Sequence, residues 1–144
     1  MKLWLHHINV VSHDVEELQD FYGDVLGLQR QTEDIPVRNN SYSAPVAFLS
    51  DGAVQMHLAG RDLDLGFRSG NAINPVERGH IAFRTDDLAA FRKLLEDKGI
   101  SYSDYGGVAT DSWHQIFFHD PVGNVIEVHE ISDSGAEAPD ANDE

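Results

Sequence analysis

The chain contains no cysteine, which excludes disulfides, thiolate metal ligands and thiol nucleophiles. Basic residues are scarce. Ten Lys and Arg stand against 25 Asp and Glu, and the formal net charge is −15. Nucleic acid and anionic membrane surfaces are poor partners for such a chain, because affinity for both rests on Lys and Arg. Long apolar runs are missing too: none approaches the roughly 20 residues of a membrane span. The opening "MKLWLHHINV" passes directly into an alternating strand pattern, without the apolar stretch and small-residue cleavage site of a secretory signal. These absences lead to the expectation of a cytoplasmic protein with no membrane or nucleic-acid partner.

What is present suits one compact domain: 144 residues, 41% of them hydrophobic, enough for a single core. The chain repeats itself. "HINVVSHDVEELQDFYGDVLGL" begins at His7 and "HIAFRTDDLAAFRKLLEDKGI" at His80. In each, a His opens a strand-like run, and an Asp follows (Asp14, Asp87) whose carboxylate can cap the first turn of a helix. Apolar residues then recur at helical spacing: Val15, Leu18, Phe21, Tyr22 and Val25 in one half, Leu88, Phe91, Leu94 and Leu95 in the other. Gly27 and Gly99 close the two helices. Strand-like sequence follows in both halves, "PVAFLSDGAVQMHLAG" turning at Asp51 and Gly52, "HQIFFHDPVGNVIEVHEI" turning around Pro121 to Asn124. The pattern is β-α-β-β-β twice, module 1 over about 3–60 and module 2 over about 78–131. Between them, 61–77 reads as a long Gly-containing linker. The final 132–144, with five carboxylates in thirteen residues, reads as a disordered acidic tail.

One residue in the last strand stands out. Strand alternation places Val125, Glu127 and His129 on one face and Ile126 and Val128 on the other. A carboxylate inside an apolar strand is costly unless its face is wet or a positive group sits opposite. Aligning "AVQMHLA" with "GNVIEVH" sets His57 on Glu127. Each half thus offers a first-strand His (His7, His80) and a last-strand polar residue (His57, Glu127). Gln55 shares the face of His57, and a register shift would put Gln55 in its place.

On these residues the sequence resembles the vicinal oxygen chelate superfamily, the glyoxalase, bleomycin-resistance and extradiol-dioxygenase fold family. The most specific matches are "FYGDVLGL" at 21–28 and "FFHDPVGNVIEV" at 117–128, and the resemblance spans 3–131. It implies an α+β fold of two tandem βαβββ modules forming a curled mixed sheet around a metal-binding cleft. Carried over by motif, the metal ligands are His7, His57, His80 and Glu127. Imidazole and carboxylate donors suit a divalent transition metal: Zn, Ni, Co, Mn or Fe(II). The implied activity is that of a metal-dependent glyoxalase-like lyase or isomerase on a small molecule chelated through adjacent oxygens, with Glu127 also serving as base. A homodimer is implied as well.

Other activities of the superfamily compete with that one. An extradiol-type dioxygenase is weakened by Phe117, where the family pattern has Tyr. A fosfomycin-resistance-like transferase lacks a recognisable cation-binding loop. A metal-free drug-binding module does not account for four ligand-type residues.

Among the remaining candidates, His114 opens the penultimate strand and is expected to reach the cleft as an acid or base. His129 is expected at the rim or behind the ligands, while His6 and His13 are read as surface residues and His119 as a turn residue. Arg38, Arg68 and Arg84 read as surface ion pairs or as clamps for an anionic substrate group. Tyr42, Tyr102, Tyr105 and Trp113 suit either the cleft wall or the core.

Overall fold

The computed structural model describes residues 1–132; the tail expected over 132–144 therefore lies, but for its first residue, outside the described residues. Strand β1 (Leu3–Ser12) leads into α1 (Val15–Asp20), and β2 (Gln29–Arg30), β3 (Val46–Ser50) and β4 (Gln55–Gly60) complete the first half. A short helix α2 (Leu65–Ser69) separates it from β5 (His80–Thr85), α3 (Leu88–Asp97), β6 (Ser103–Gly106), β7 (Trp113–His119) and β8 (Val125–Ile131). All eight strands form one mixed, curled sheet in the order β2-β3-β4-β1-β5-β8-β7-β6. Its left half, 2-3-4-1, mirrors its right half, 5-8-7-6. In each half the first and last strands run parallel, β1 with β4 and β5 with β8, and the halves join through the antiparallel β1/β5 seam.

Local chemistry explains the elements. Asp14 accepts a bond from the Glu17 backbone N–H at 3.1 Å and Asp87 one from Ala90 at 3.0 Å, so each caps a helix start whose N–H groups lack partners. Gly27 (φ 78°) and Gly99 (φ 70°) supply the left-handed turns that end the helical stretches. The first helix departs from the expected periodicity. After Asp20 it widens into a π-helical turn, Phe21–Val25, with the Leu26 N–H donating to Phe21 O. One extra residue per turn rotates the downstream face. Tyr22 still packs, but Phe21 and Val25 turn outward at 48% and 68% exposure.

Each helix covers the outer face of its own half. Val15 of α1 packs with Leu49 and Leu58, and α3 lays Leu88, Phe91 and Leu95 on Ile116 and Val128. Burying each such side chain contributes about 1.5–3 kcal/mol. Leu58 and Val128 are fully buried beneath the helices, so alternation turns their neighbours His57 and Glu127 to the inner face. The segment 61–77 is more than a linker: it contains α2, and Leu65, Ile73 and Val76 join a core cluster with Tyr42, Tyr105 and Phe117. Among the described residues no helix is long and apolar enough to cross a membrane.

Candidate functional site

The inner face of the sheet lines a cleft of about 600 Å³, counting its open mouth. Both halves contribute walls: His7, Asn9 and His57 from the first, His80, Phe117 and Glu127 from the second. The four repeat-equivalent residues are thus brought together. Their burial is deep, with His7, His57, His80 and Glu127 all at 9% exposure or less.

Hydrogen-bond partners assign the imidazole protons. His80 Nδ1 lies 2.8 Å from the Pro75 carbonyl oxygen, an acceptor only, so Nδ1 carries the proton and Nε2 of the neutral ring is a bare lone pair. That Nε2 stands 3.0 Å from Glu127 Oε1. His6 Nε2 donates to Asp34 Oδ2 at 3.0 Å, so His6 Nδ1 accepts from His7 Nδ1 at 2.8 Å. His7 Nε2 is then bare as well, and it faces the same Glu127 oxygen at 3.6 Å. Two lone pairs and an anionic oxygen converge with no proton among them, and Oε1 is a buried atom without a hydrogen-bond partner. With both rings neutral, such an arrangement is repulsive unless a proton or a metal ion occupies the centre.

The other carboxylate oxygen is held firmly. Arg84 Nε donates to His129 Nε2 at 3.0 Å, which leaves His129 Nδ1–H to donate to Glu127 Oε2 at 2.6 Å. Donor atoms of His7, Glu127 and His129 lie within 4.8 Å of one another, so this buried group could hold a metal ion. Both nitrogens of His129 are nevertheless engaged in this arrangement, whereas His80 presents Nε2 to Oε1 at 3.0 Å. His57 stacks on His7 with ring centroids 3.7 Å apart, and its Nε2 donates to Gln55 Oε1 at 2.7 Å. Gln55 Nε2 in turn donates to the Asp34 carbonyl at 2.9 Å, which fixes the orientation of that amide.

Burial depresses the His7 imidazole to about 3 and, reinforced by His7, holds His57 well below its ordinary range. His129 is also lowered, again chiefly by burial. Burial acts to raise the Glu127 carboxyl, and the His129 Nδ1–H donated to Oε2 acts in the opposite direction. His7, His57 and His129 are thus held as neutral imidazoles beside a carboxylate. Trp113 dries the cluster, lying flat on His129 at 4.2 Å and edge-on to His6 at 5.3 Å, with the Arg84 guanidinium 5.1 Å from its ring centroid.

Several expected positions change. His6 is buried, not at the surface: β1 shifts register against β5 between Leu5 and His7, and this bulge inserts one extra residue and turns both histidines inward. His129 is fully buried, and Arg84 lies 7% exposed inside the cluster. His114 is not brought to the cleft. On β7 it alternates with Trp113 and Gln115, which face inward, and its Nε2 meets Asp104 Oδ1 on the far face at 2.7 Å. Arg68 forms an exposed pair with Asp62 at 2.8 Å, while Arg38 lies at the cleft mouth, its Nη2 donating to the Tyr42 and Ala44 carbonyls. Asp34 and Asn9 escaped the sequence reading altogether, and Asn9 lines the cleft with a buried, unpartnered Oδ1. The "HH" doublet in a strand was the one available signal for the bulge.

Comparison with known proteins agrees with this architecture. The profile of the glyoxalase/bleomycin resistance protein/dioxygenase superfamily matches residues 4–128. Glyoxylase I 4 of Arabidopsis thaliana is 33% identical over 129 residues, covering 86% of this chain and 68% of the plant protein. Among solved structures, a hypothetical protein of Bacillus halodurans superposes with a TM-score of 0.69 at 17% identity, over 92% of this chain and 96% of that one. Methylmalonyl-CoA epimerase of Mycobacterium tuberculosis gives 0.64 at 21% identity, over 89% and 87%. At these identities the structural likeness shows the fold.

Proposed function

The chain belongs to the glyoxalase/bleomycin resistance protein/dioxygenase superfamily, and from that premise we propose that it is a divalent-metal-dependent lyase or isomerase of the glyoxalase type. One observation carries the reading. Bare Nε2 atoms of His7 and His80 face an unpartnered buried oxygen of Glu127, a donor set of the kind that Zn, Ni, Co, Mn or Fe(II) takes. His57 joins as fourth ligand by exchanging its Gln55 bond for the ion. A bound ion supplies Lewis-acid stabilisation of the oxyanion formed when carbon beside a carbonyl loses a proton. The chain supplies the rest. Apolar walls that include Phe48, Leu65 and Phe117 exclude water. Glu127 Oε1 is positioned to take up and return the proton while His129 clamps Oε2. The substrate is a small molecule presenting two neighbouring oxygens to the His/Glu cluster.

Metal analysis of protein purified without a His-tag tests the proposal, together with turnover of thiol adducts of α-oxo-aldehydes. About one ion per chain is expected, and melting should rise on adding Ni or Zn to stripped protein. Less than about half an ion per chain with no thermal shift would leave a metal-free binding module and sink the enzyme reading. The proton dependence follows from burial. Protonated imidazole cannot bind metal, and His7 and His57 are held below their ordinary range. Competition from protons at these two rings therefore sets in below the ~6.5 of a free imidazole. Calorimetric titration with Co²⁺ should show affinity falling less between about pH 7.5 and 6 than it does for an exposed histidine site.

A further inference from the structure

Asp34 sits between β2 and β3 with a left-handed backbone, φ 54°, in a stretch with little sequence patterning. Three branches of the cluster end on it. Its Oδ2 accepts from His6 Nε2 at 3.0 Å, and His6 in turn accepts from His7. Its carboxylate also takes Arg84 Nη1 at 2.8 Å (Oδ1) and 2.9 Å (Oδ2), and Arg84 donates through Nε to His129, which donates to Glu127. Its backbone carbonyl accepts from Gln55, which holds His57. We propose that Asp34 is the positioning residue of the site, setting through two hydrogen-bonded chains which nitrogen of His7 is bare and how the Glu127 carboxylate is turned.

The argument is one of polarity. A carboxylate only accepts, so His6 must present N–H to it and a lone pair to His7, and His7 must then turn its own lone pair toward Glu127. The second chain runs the same way, with the guanidinium, a donor only, forcing His129 to direct its N–H at Oε2. The side chain of Asp34 is about half exposed at 45%. Burial acts to raise its carboxyl, and the bonds from His6 and the charge of Arg84 outweigh it, keeping the carboxyl below its usual range.

This inference rests on the reading of His7 and Glu127 as ligands, but its first test needs no metal. In ¹⁵N-histidine spectra of the metal-free chain, His7 is expected to carry its proton on Nδ1. In Asp34→Asn the amide can donate to His6, which allows His6 to turn its proton toward His7. His7 then moves its own proton to Nε2, a change that loss of packing alone would not produce. Outer-shell partners of metal ligands are worth about 10–100-fold in affinity, and Co²⁺ binding to this variant should fall by that factor. Asp34→Glu, which keeps the acceptor, should restore the Nδ1 tautomer at least in part. A wild-type His7 protonated on Nε2 overturns the proposal outright, whatever the variants do. So does an Asp34→Asn chain with unchanged His7 tautomer and Co²⁺ affinity within about twofold of wild type. Failure of the wild-type chain to bind Co²⁺ would remove the enzyme reading, while the tautomer comparison would still decide the role of Asp34.

Discussion

Glu127→Gln is expected to abolish tight metal binding while leaving the metal-free protein at least as stable as wild type. The amide has nearly the shape of the carboxylate. Its oxygen can keep the bond from His129 Nδ1–H, now 2.6 Å long, and its NH₂ then points at the bare Nε2 atoms of His7 and His80. Two lone pairs that face an anion in the wild type thus gain donors. Removing a buried charge that lacks full compensation while completing its neighbours' hydrogen bonds is neutral or stabilising, by about 1 kcal/mol. The ion loses its one anionic ligand, so affinity should fall by more than the roughly 10–100-fold typical of an outer-shell change. Scanning calorimetry in chelator and Co²⁺ titration read the two effects separately. A variant that keeps its full metal content and merely melts earlier would make Glu127 a structural residue.

The second large effect falls on stability. Gly79 immediately precedes His80, has φ 91°, and approaches the backbone of β1 so closely that a Cβ there would overlap the Asn9 carbonyl oxygen. Gly79→Ala therefore adds backbone strain of about 1–3 kcal/mol to a clash with main-chain atoms that cannot swing aside. Asn9 pairs with His80 across the seam, so relief requires the two halves to part at the site itself. A loss above about 3 kcal/mol is expected, lowering Tm by roughly 10 °C for a chain of this size, with weakened Co²⁺ binding. Gly70→Ala is the control: φ is 74° but nothing lies within 4 Å of the added carbon, so only the strain remains. Equal losses in the two variants would mean that the seam tolerates the intrusion.

The repeat made much of this molecule readable. A His opening each first strand, an Asp capping each helix and a Gly ending it are local signals, and the paired turns fixed which residues of β4 and β8 face inward. Each remaining feature breaks periodicity by a single residue or lies where there is none. The bulge at His6 shifts the phase of β1 by one, so strict alternation sends that ring to the wrong face. The π-helical turn does the same to Phe21 and Val25. Five-residue α2 is too short to leave a helical period, and Asp34 lies in a loop whose role is decided by partners distant in sequence, His6, Gln55 and Arg84. Arg84 illustrates the limit well: in so acidic a chain a surface ion pair was the natural expectation, and it is indeed paired, but inside the cluster.

Among the described residues, a sheet that curls without closing has two end strands, β2 and β6, and these are its shortest. β2 is two residues long and exposes Arg30; β6 is four residues long, exposes Asp104 and shifts register before Gly106. Unpaired strand edges invite strand-to-strand polymerisation, and brevity, charge and irregularity are what blunt them. An open form that leaves the cleft accessible thus carries, on its end strands, the features that discourage strand addition.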